Sequence, residues 1–459
     1  MSTVSFKIQF LGAAGTVTGS KYLLTIGDKK IMVDCGLFQG EKALRLMNWE
    51  APKFHPGEID FVLLTHGHLD HTGYLPRMVK LGFHGKIYGT YPTLDVAKII
   101  LKDTAKIQEK EAERANREKF SKHHPALAYY NRHDVKNTVR LFKGMPQNQW
   151  ITMFEGFKVR FQYNGHILGA TNIEIDLNGK RIVFSGDVGR LNDLLLYDPI
   201  RPKRADILLM ESTYGGRLHP DEEDMIPEIE DIANQTFRRN GILFVPSFSV
   251  ERAQLMMYIF WQLKKEKRIP DVPMILDSPE GSDILKLFKN TRDWHKLEKR
   301  ECKEMCANFR IVKSFGETMS LRDDNRPKIV IAGSGMLTGG RILNYLEKQA
   351  GNPNNTLLFV GYQAPGTRGR RLLEGEKQLK VYGKTVAFKM QVKEVEGLSA
   401  HADNAELMHW MKKIRQKPKM VYLVHGEREA AIALKKEIEK KFSWDCHIPE
   451  LFDTEEIIL

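Results

Sequence analysis

The chain has 459 residues, 42% apolar and 28% charged, the proportions of a globular protein. No run approaches the roughly 18 uninterrupted apolar residues of a membrane span, and the opening MSTVSFKIQFLG lacks the order of basic, apolar and small residues that marks a secretory leader. Lys plus Arg outnumber Asp plus Glu by 70 to 58, a formal +12 that suits a phosphate-rich partner without requiring one, and four scattered cysteines exclude a disulfide scaffold, so a cytoplasmic protein is expected.

In chain order the first half reads as short strands ended by Gly, Asp or Asn: SFKIQFLGA, KYLLTIG, KKIMVDCG, IDFVLLTH, KIYGT, FKVRFQYNGH, NIEIDLNG, KRIVFSGD and ADILLMEST. Such density implies sheets packed face to face. A long helix, TLDVAKIILKDTAKIQEKEAERANREKF, interrupts them, apolar at three- and four-residue spacing in its first half and charged in its second. From Gly241 the rhythm changes to strand, helix, strand, helix: GILFVP, SVERAQLMMYIFWQLKKEK, VPMILD, SDILKLFKN, NFRIVK, KIVIAGSG and LLFVGY. That alternation predicts a parallel sheet with crossover helices, hence a second domain. Beyond GRRLLEG, the runs TVAFKMQVKEVEG and KMVYLVHG resemble the opening half again, as they would if the second domain were inserted into the first.

The stretch THGHLDHTG sets His66, His68, Asp70 and His71 directly after an apolar run. In an extended segment His66 and His68 point the same way and can share one metal, while the turn that follows can aim Asp70 and His71 at a second. Two ions need further ligands. His166 in YNGHILGA and Asp187 in VFSGDVG both stand in Gly-containing loops after a β run. Taken singly, His166 fits a hydrogen-bonded structural residue as well, and Asp187 an ordinary turn aspartate; their joint placement at strand ends favours a site. Cys302 and Cys306 lie one helical turn apart with no second pair to complete a zinc site and are read as free thiols, and His123, His124 and His133 as loop residues.

With these blocks the chain resembles the metallo-β-lactamase superfamily, and within it the β-CASP group of RNA-processing nucleases, in a short form like the cleavage-and-polyadenylation endonuclease. Asp34 in IMVDCG, THGHLDHTG, His166 and Asp187 match the superfamily's ordered metal motifs, and ESTYGGRLH (Glu211), GLSAHAD (His401) and LVHGE (His425) match those of the β-CASP group. PSFSVERAQ, LDSP, IAGSGMLTGG and GYQAPGTRGRRLLEG resemble its inserted domain, although Glu251 stands where relatives usually have Gly and Leu255 where they often have Glu. The resemblance implies that His66, His68 and His166 hold one zinc, that Asp70, His71 and His425 hold a second, and that Asp187 bridges them, with Mn2+ as a substitute metal. Asp34 would orient ligands from behind. His401, paired with Glu211, would give a proton to the leaving oxygen. His425 at the third β-CASP position favours RNA, because the DNA-repair branch tends to carry an aliphatic residue there. Ser334, Gly335, Ser399, Arg252 and Arg370 are the expected contacts to substrate phosphate, with Arg368 and Arg371 beside them.

The expected architecture is α/β: an αββα metallo-β-lactamase sandwich made of 1–213 and 371–459, the last part an RNA-specificity segment, with a β-CASP parallel-sheet domain at 214–370 and the active site in the cleft between them. The expected function is a two-zinc hydrolase of single-stranded RNA, endonucleolytic in mode. The near alternative is a 5′-3′ exoribonuclease of the ribonuclease J type, against which the short run after LVHGE is read. A non-cutting scaffold subunit would not need the seven metal-ligand positions, and a small-molecule hydrolase would not need the insertion or His401. The apolar end EEIIL is read as finishing a sheet or sealing a homodimer.

Overall fold

A computed structural model describes residues 4–119, 123–220, 222–248, 250–361, 363 and 366–459. The chain divides into two compact units, 1–218 with 401–459, and 219–400.

The first unit is built on two seven-stranded sheets. In space the first runs Thr454–Ile458, Ser5–Phe10, Tyr22–Ile26, Lys29–Val33, Phe61–Leu63, Lys86–Thr90, Phe142–Met145. The second runs Cys446–His447, Met420–Val424, Ile207–Glu211, Lys180–Phe184, Thr171–Leu177, Phe157–Tyr163, Ile151–Phe154. Alternation decides which face each strand gives to the core: in Ser5–Phe10 the residues Phe6, Ile8 and Phe10 are buried and Ser5 and Lys7 exposed. Those three pack with Phe157, Val159, Phe161, Ile173, Ile175, Ile182 and Phe184 from the facing sheet, so the two sheets share one apolar layer. Ile207–Glu211 is buried throughout because it has a parallel neighbour on each side and apolar layers on both faces.

Helices cover the outer faces. Leu75–Lys80, Tyr91–Glu118 and Arg132–Val139 pack on the first sheet, and Asn404–Met411 and Arg428–Phe442 on the second, which completes the αββα layering. Tyr91–Glu118 begins where the Thr90 side chain accepts a hydrogen bond from the Thr93 N–H and Pro92 supplies a preset φ. Its buried residues lie almost wholly before Lys106, with Ala115 alone beyond, as the shift from apolar to charged sequence predicts.

The second unit holds a six-stranded sheet, parallel at every pairing, in the order Phe309–Ile311, Met274–Asp277, Ile329–Ala332, Leu243–Pro246, Thr356–Phe359, Gln391–Glu394. Its last strand corrects the expected return to the first domain at 371. Gln391–Glu394 pairs with Thr356–Phe359, and Lys384–Ala387 closes a hairpin with Gln378–Val381, so 371–400 stays with the second unit. A β-rich run states that it needs a partner strand and is silent on which sheet edge provides it.

Candidate active site

Most ligand-type residues of the first unit lie at or just beyond the carboxyl ends of strands, several of them parallel neighbours within their sheet. Val33 and Leu63 are register partners in a parallel pair, so Asp34 and Thr65 leave the first sheet side by side; Phe184, Glu211 and Val424 end parallel neighbours of the second. Backbone bonds then fix the His-rich turn. Ser20 N–H donates to Asp70 O at 2.8 Å, Cys35 N–H to His71 O at 2.7 Å and Leu37 N–H to Leu69 O at 3.1 Å. Gly36 makes this approach possible, since a Cβ there would lie 1.6 Å from Asp70 O. Two residues of the site, Asp34 and His425, hold φ of 57° and 48°, a left-handed conformation that Asp and His tolerate better than most side chains. The His425 N–H is anchored to Ala13 O at 2.7 Å.

The side chains converge on Asp187. Its Oδ2 lies 3.4 Å from His66 Nε2 and 3.5 Å from His166 Nε2, and both of those nitrogens lie 3.2 Å from His68 Nδ1. Its Oδ1 lies 3.3 Å from His71 Nε2 and 3.6 Å from His425 Nδ1, and His425 Nε2 is 3.4 Å from Asp70 Oδ2. His66, His68, His166 and Asp187 could hold one metal ion, and Asp70, His71 and His425 another; within each set the donor atoms lie within 4.8 Å of one another. Behind them Asp34 Oδ2 accepts from His71 Nδ1 at 2.8 Å and from the Thr65 hydroxyl at 2.7 Å, while its Oδ1 accepts from the Thr65 N–H at 2.8 Å. That arrangement fixes the His71 ring and leaves its Nε2 facing Asp187.

The residues fit a cation. His68 Nδ1 faces two imidazole nitrogens at once, and one proton cannot satisfy both contacts. Burial holds His66 well below the usual histidine range and His68 down at about 4, so both keep lone pairs at neutral pH. Asp187 is buried, and its Oδ1 has no hydrogen-bond partner among the described residues. Burial opposes ionisation of Asp187, but the surrounding imidazoles, His425 and His71 foremost, outweigh it and keep the carboxylate well below its usual range. In the same way the His425 hydrogen bond and neighbouring imidazoles overcome burial to hold Asp70 at about 2. Imidazole nitrogens around ionised carboxylates are a donor set for a borderline metal such as zinc.

One histidine stands beside this cluster. His401 Nδ1 is 3.1 Å from Glu211 Oε2, and its ring centroid is 4.5 Å from that of His166. Burial pushes the His401 imidazole down, but the charge and hydrogen bond of Glu211, with Asp187 and Asp70 behind, carry it up to about 9. Glu211 is fixed in turn: Oε1 accepts from the Val188 N–H and Oε2 from the Thr213 hydroxyl at 2.6 Å. Asp403 caps the helix Asn404–Met411 through a capping box with Glu406, and the Ala402 N–H donates to Val188 O at 2.7 Å, so His401 leads into an anchored segment. Two residues of this centre are polar links beyond the expected set. Thr65 ties Asp34 to the metal turn, and Thr213 hydrogen-bonds Glu211 and lies 3.2 Å from His425 Nδ1. Both stand inside the quoted blocks THGHLDHTG and ESTYGG, where a small hydroxyl beside a charged residue was the available signal.

The residues expected to touch phosphate belong, by contact, to the second unit. Ser334 and Gly335 lie in the loop after Ile329–Ala332, and Arg252 opens the helix Arg252–Lys265 and is buried. Arg370 pairs with Glu374 at 2.8 Å, Arg371 with Glu376, and Arg368 donates to Lys380 O and Leu337 O, so these guanidinium groups already brace the fold. Ser399 lies just before the return to the first unit. Ser249, Tyr362, Ala364 and Pro365 of the quoted blocks lie outside the described residues.

Comparison with known proteins agrees with the chemistry of this centre. Residues 14–221 match the metallo-beta-lactamase superfamily, 253–372 the Beta-Casp domain, and 385–449 the Zn-dependent metallo-hydrolase RNA specificity domain. The chain is 32% identical to Ribonuclease TTHA0252 of Thermus thermophilus over 93% of its own length and 94% of that protein's. It is 30% identical to Transcription termination factor FttA of Methanosarcina mazei, over 95% and 69%, and 29% identical to Integrator complex subunit 11 of Danio rerio, over 98% and 74%. A crystal structure of a protein of unknown function from Enterococcus faecalis shares the fold, with a TM-score of 0.57 at 16% identity, covering 99% of this chain and 100% of that one. No helix among the described residues is long and apolar enough to cross a membrane. A zinc-type donor cluster at the carboxyl edge of an αββα sandwich, followed by Beta-Casp and RNA-specificity segments, places this chain in the Beta-Casp family of metal-dependent RNA hydrolases.

Proposed function

We propose that the protein is an endoribonuclease that cuts single-stranded RNA with two zinc ions, one held by His66, His68 and His166, the other by Asp70, His71 and His425, and both by Asp187. The observation that carries this reading is the division of Asp187: one carboxylate oxygen faces a first group of imidazoles and the other a second, while His401 waits beside them on Glu211. Zinc bound there supplies Lewis acidity, which polarises a phosphodiester oxygen and makes a water nucleophilic at neutral pH. The chain's own groups do the rest. Asp34 and Thr65 keep the His71 ring from turning, so its Nε2 stays available. His401 Nδ1 donates to Glu211 Oε2, which leaves Nε2 as the atom that gives a proton to the departing oxygen. The carboxylate of Glu211 favours the protonated imidazole that this task requires.

The test is a circular single-stranded RNA beside its linear 5′-monophosphate form, incubated with zinc-loaded protein and followed by product length. Cutting of the circle, slowed roughly 10²–10⁴-fold by His401→Ala, is the expected result. An intact circle with stepwise shortening of the linear RNA would assign a 5′-3′ exonuclease instead, and silence on both would assign a scaffold.

A further inference from the structure

Phe248 is an aromatic residue that the catalytic reading does not use. It follows Leu243–Pro246, which lies between Ile329–Ala332 and Thr356–Phe359 in the parallel sheet, and it is 44% exposed. Its backbone is held while its ring is not enclosed: Phe248 O accepts from the Ala253 N–H at 3.2 Å and from the Ser247 hydroxyl at 3.0 Å, and no ring partner is present among the described residues. The ring rests against Gly335, where an added Cβ would lie 2.9 Å from both Cδ2 and Cε2 of Phe248. A glycine backbone therefore lies against one part of the ring, while the residue keeps 44% of its surface open to solvent.

The loop beneath the ring is polarised. Its carbonyls are taken: Gly333 O by Ile342 N–H, Ser334 O by Leu337 N–H, Gly335 O by Gln363 Nε2, Met336 O by Gly369 N–H, and Leu337 and Thr338 O by Arg368 Nη1. The N–H groups of Ser334 to Met336 and of Thr338 to Gly340 find no acceptor among the described residues. Donors without acceptors suit an anion. Pro246 and Ala332 are register partners, so Phe248 and this loop leave the sheet together at its carboxyl edge, where open parallel sheets bind ligands.

We propose that Phe248 is a base-stacking residue for single-stranded RNA and that the Ser334–Gly340 backbone takes the adjoining phosphate, making a one-nucleotide subsite within the second unit. Stacking is sequence-tolerant because every base presents a π face, which suits an enzyme that must hold a strand without demanding one sequence. The inference rests on the RNA reading of the catalytic centre. It adds that the second unit grips a base as well as the backbone.

The test is anisotropy of labelled short oligoadenylate, and of an abasic ribose-phosphate strand of equal length, on the full chain in a His401→Ala background that slows cleavage. Phe248→Ala should weaken oligoadenylate binding roughly tenfold or more, Phe248→Trp should restore it, and the abasic strand should bind both variants as it binds the parent. Unchanged oligoadenylate affinity in Phe248→Ala, or an equal loss on the abasic strand, would overturn stacking while leaving the RNA reading intact. A parent that binds neither strand would overturn both. A thermal melt of Phe248→Ala that matches the parent separates lost stacking from lost fold.

Discussion

Around Asp187 most of the imidazoles and carboxylates are buried and the His71 ring is fixed from behind by Asp34, whereas along the carboxyl edge of the six-stranded sheet Phe248 is 44% exposed and a row of loop N–H groups has no acceptor among the described residues. The two regions answer different ligands. An ion of fixed radius demands donor atoms set in advance to within tenths of an ångström, in a dry site where their charges are felt at full strength. A polymer that must pass demands the reverse: flat surfaces and donors that any nucleotide can meet. In the first unit, then, single atoms should matter greatly, and in the second single atoms should matter little.

The largest effect should come from the atom pair that faces both groups of ligands. Asp187→Ala removes the carboxylate shared by the two clusters and leaves His66, His166, His71 and His425 without their common partner. Zinc content should fall and RNA hydrolysis should drop by at least roughly 10²–10³-fold. Zinc retained in full by the purified variant, as measured by atomic emission, would show that Asp187 is not a shared ligand.

Next stands Glu211→Gln. The amide keeps the shape that receives the Val188 N–H and loses the charge beside His401. Turnover should fall roughly tenfold to a hundredfold, the range of a positioning partner, with zinc content unchanged. Because Glu211 also lies within ligand distance of Asp187 and His425, zinc lost together with turnover would reassign it from holding His401 to holding metal.

Thr65→Val is smaller. It deletes the hydroxyl that donates to Asp34 Oδ2 and preserves the N–H that donates to Oδ1. Zinc affinity should weaken about tenfold. An unchanged affinity in a chelator competition would mean that the Asp34–His71 bond alone fixes the ring.

How much of this was legible before the fold depended on whether neighbours in sequence are neighbours in space. In THGHLDHTG the two-residue period of a strand and the turn after it place four ligands within one loop, so their chemistry is readable directly. His166, Asp187 and His425 come from separate strands, and only their recurrence at strand ends, with the family resemblance, pointed to one centre. The links made by Thr65 and Thr213 had only a weak signal, a small hydroxyl beside a charged residue, because a threonine in a loop has the same spelling whether it touches solvent or a buried carboxylate. The segment 371–400 was misplaced for a related reason: TVAFKMQVKEVEG has β character, but the choice between sheet edges rests on pairing with Thr356–Phe359, a contact no local pattern encodes. Phe142–Met145, FKGM, shows no alternation and is a strand because Lys86–Thr90 offers it an edge.

The smallest effect probes the second unit at Glu251, one of the two positions where the family resemblance leads one to expect another residue. Glu251 adopts φ 66° and ψ −60°, and the Arg252 N–H donates to Val250 O at 2.8 Å across it, a three-residue γ-turn that strains any residue with a Cβ. The family resemblance leads one to expect Gly there, and the geometry supplies a reason. Relief of the strain is worth about 1–3 kcal/mol, against about 0.5–1 kcal/mol of extra backbone entropy that Gly loses on folding. Glu251→Gly should therefore stabilise the protein by about 1 kcal/mol, read as a rise in denaturant midpoint at constant slope. The buried Glu251 side chain has contacts of its own, and a fall in the midpoint would show that they outweigh the strained turn. Either sign leaves zinc content untouched if the two regions are as independent in their demands as their construction implies; zinc lost on Glu251→Gly would break that separation.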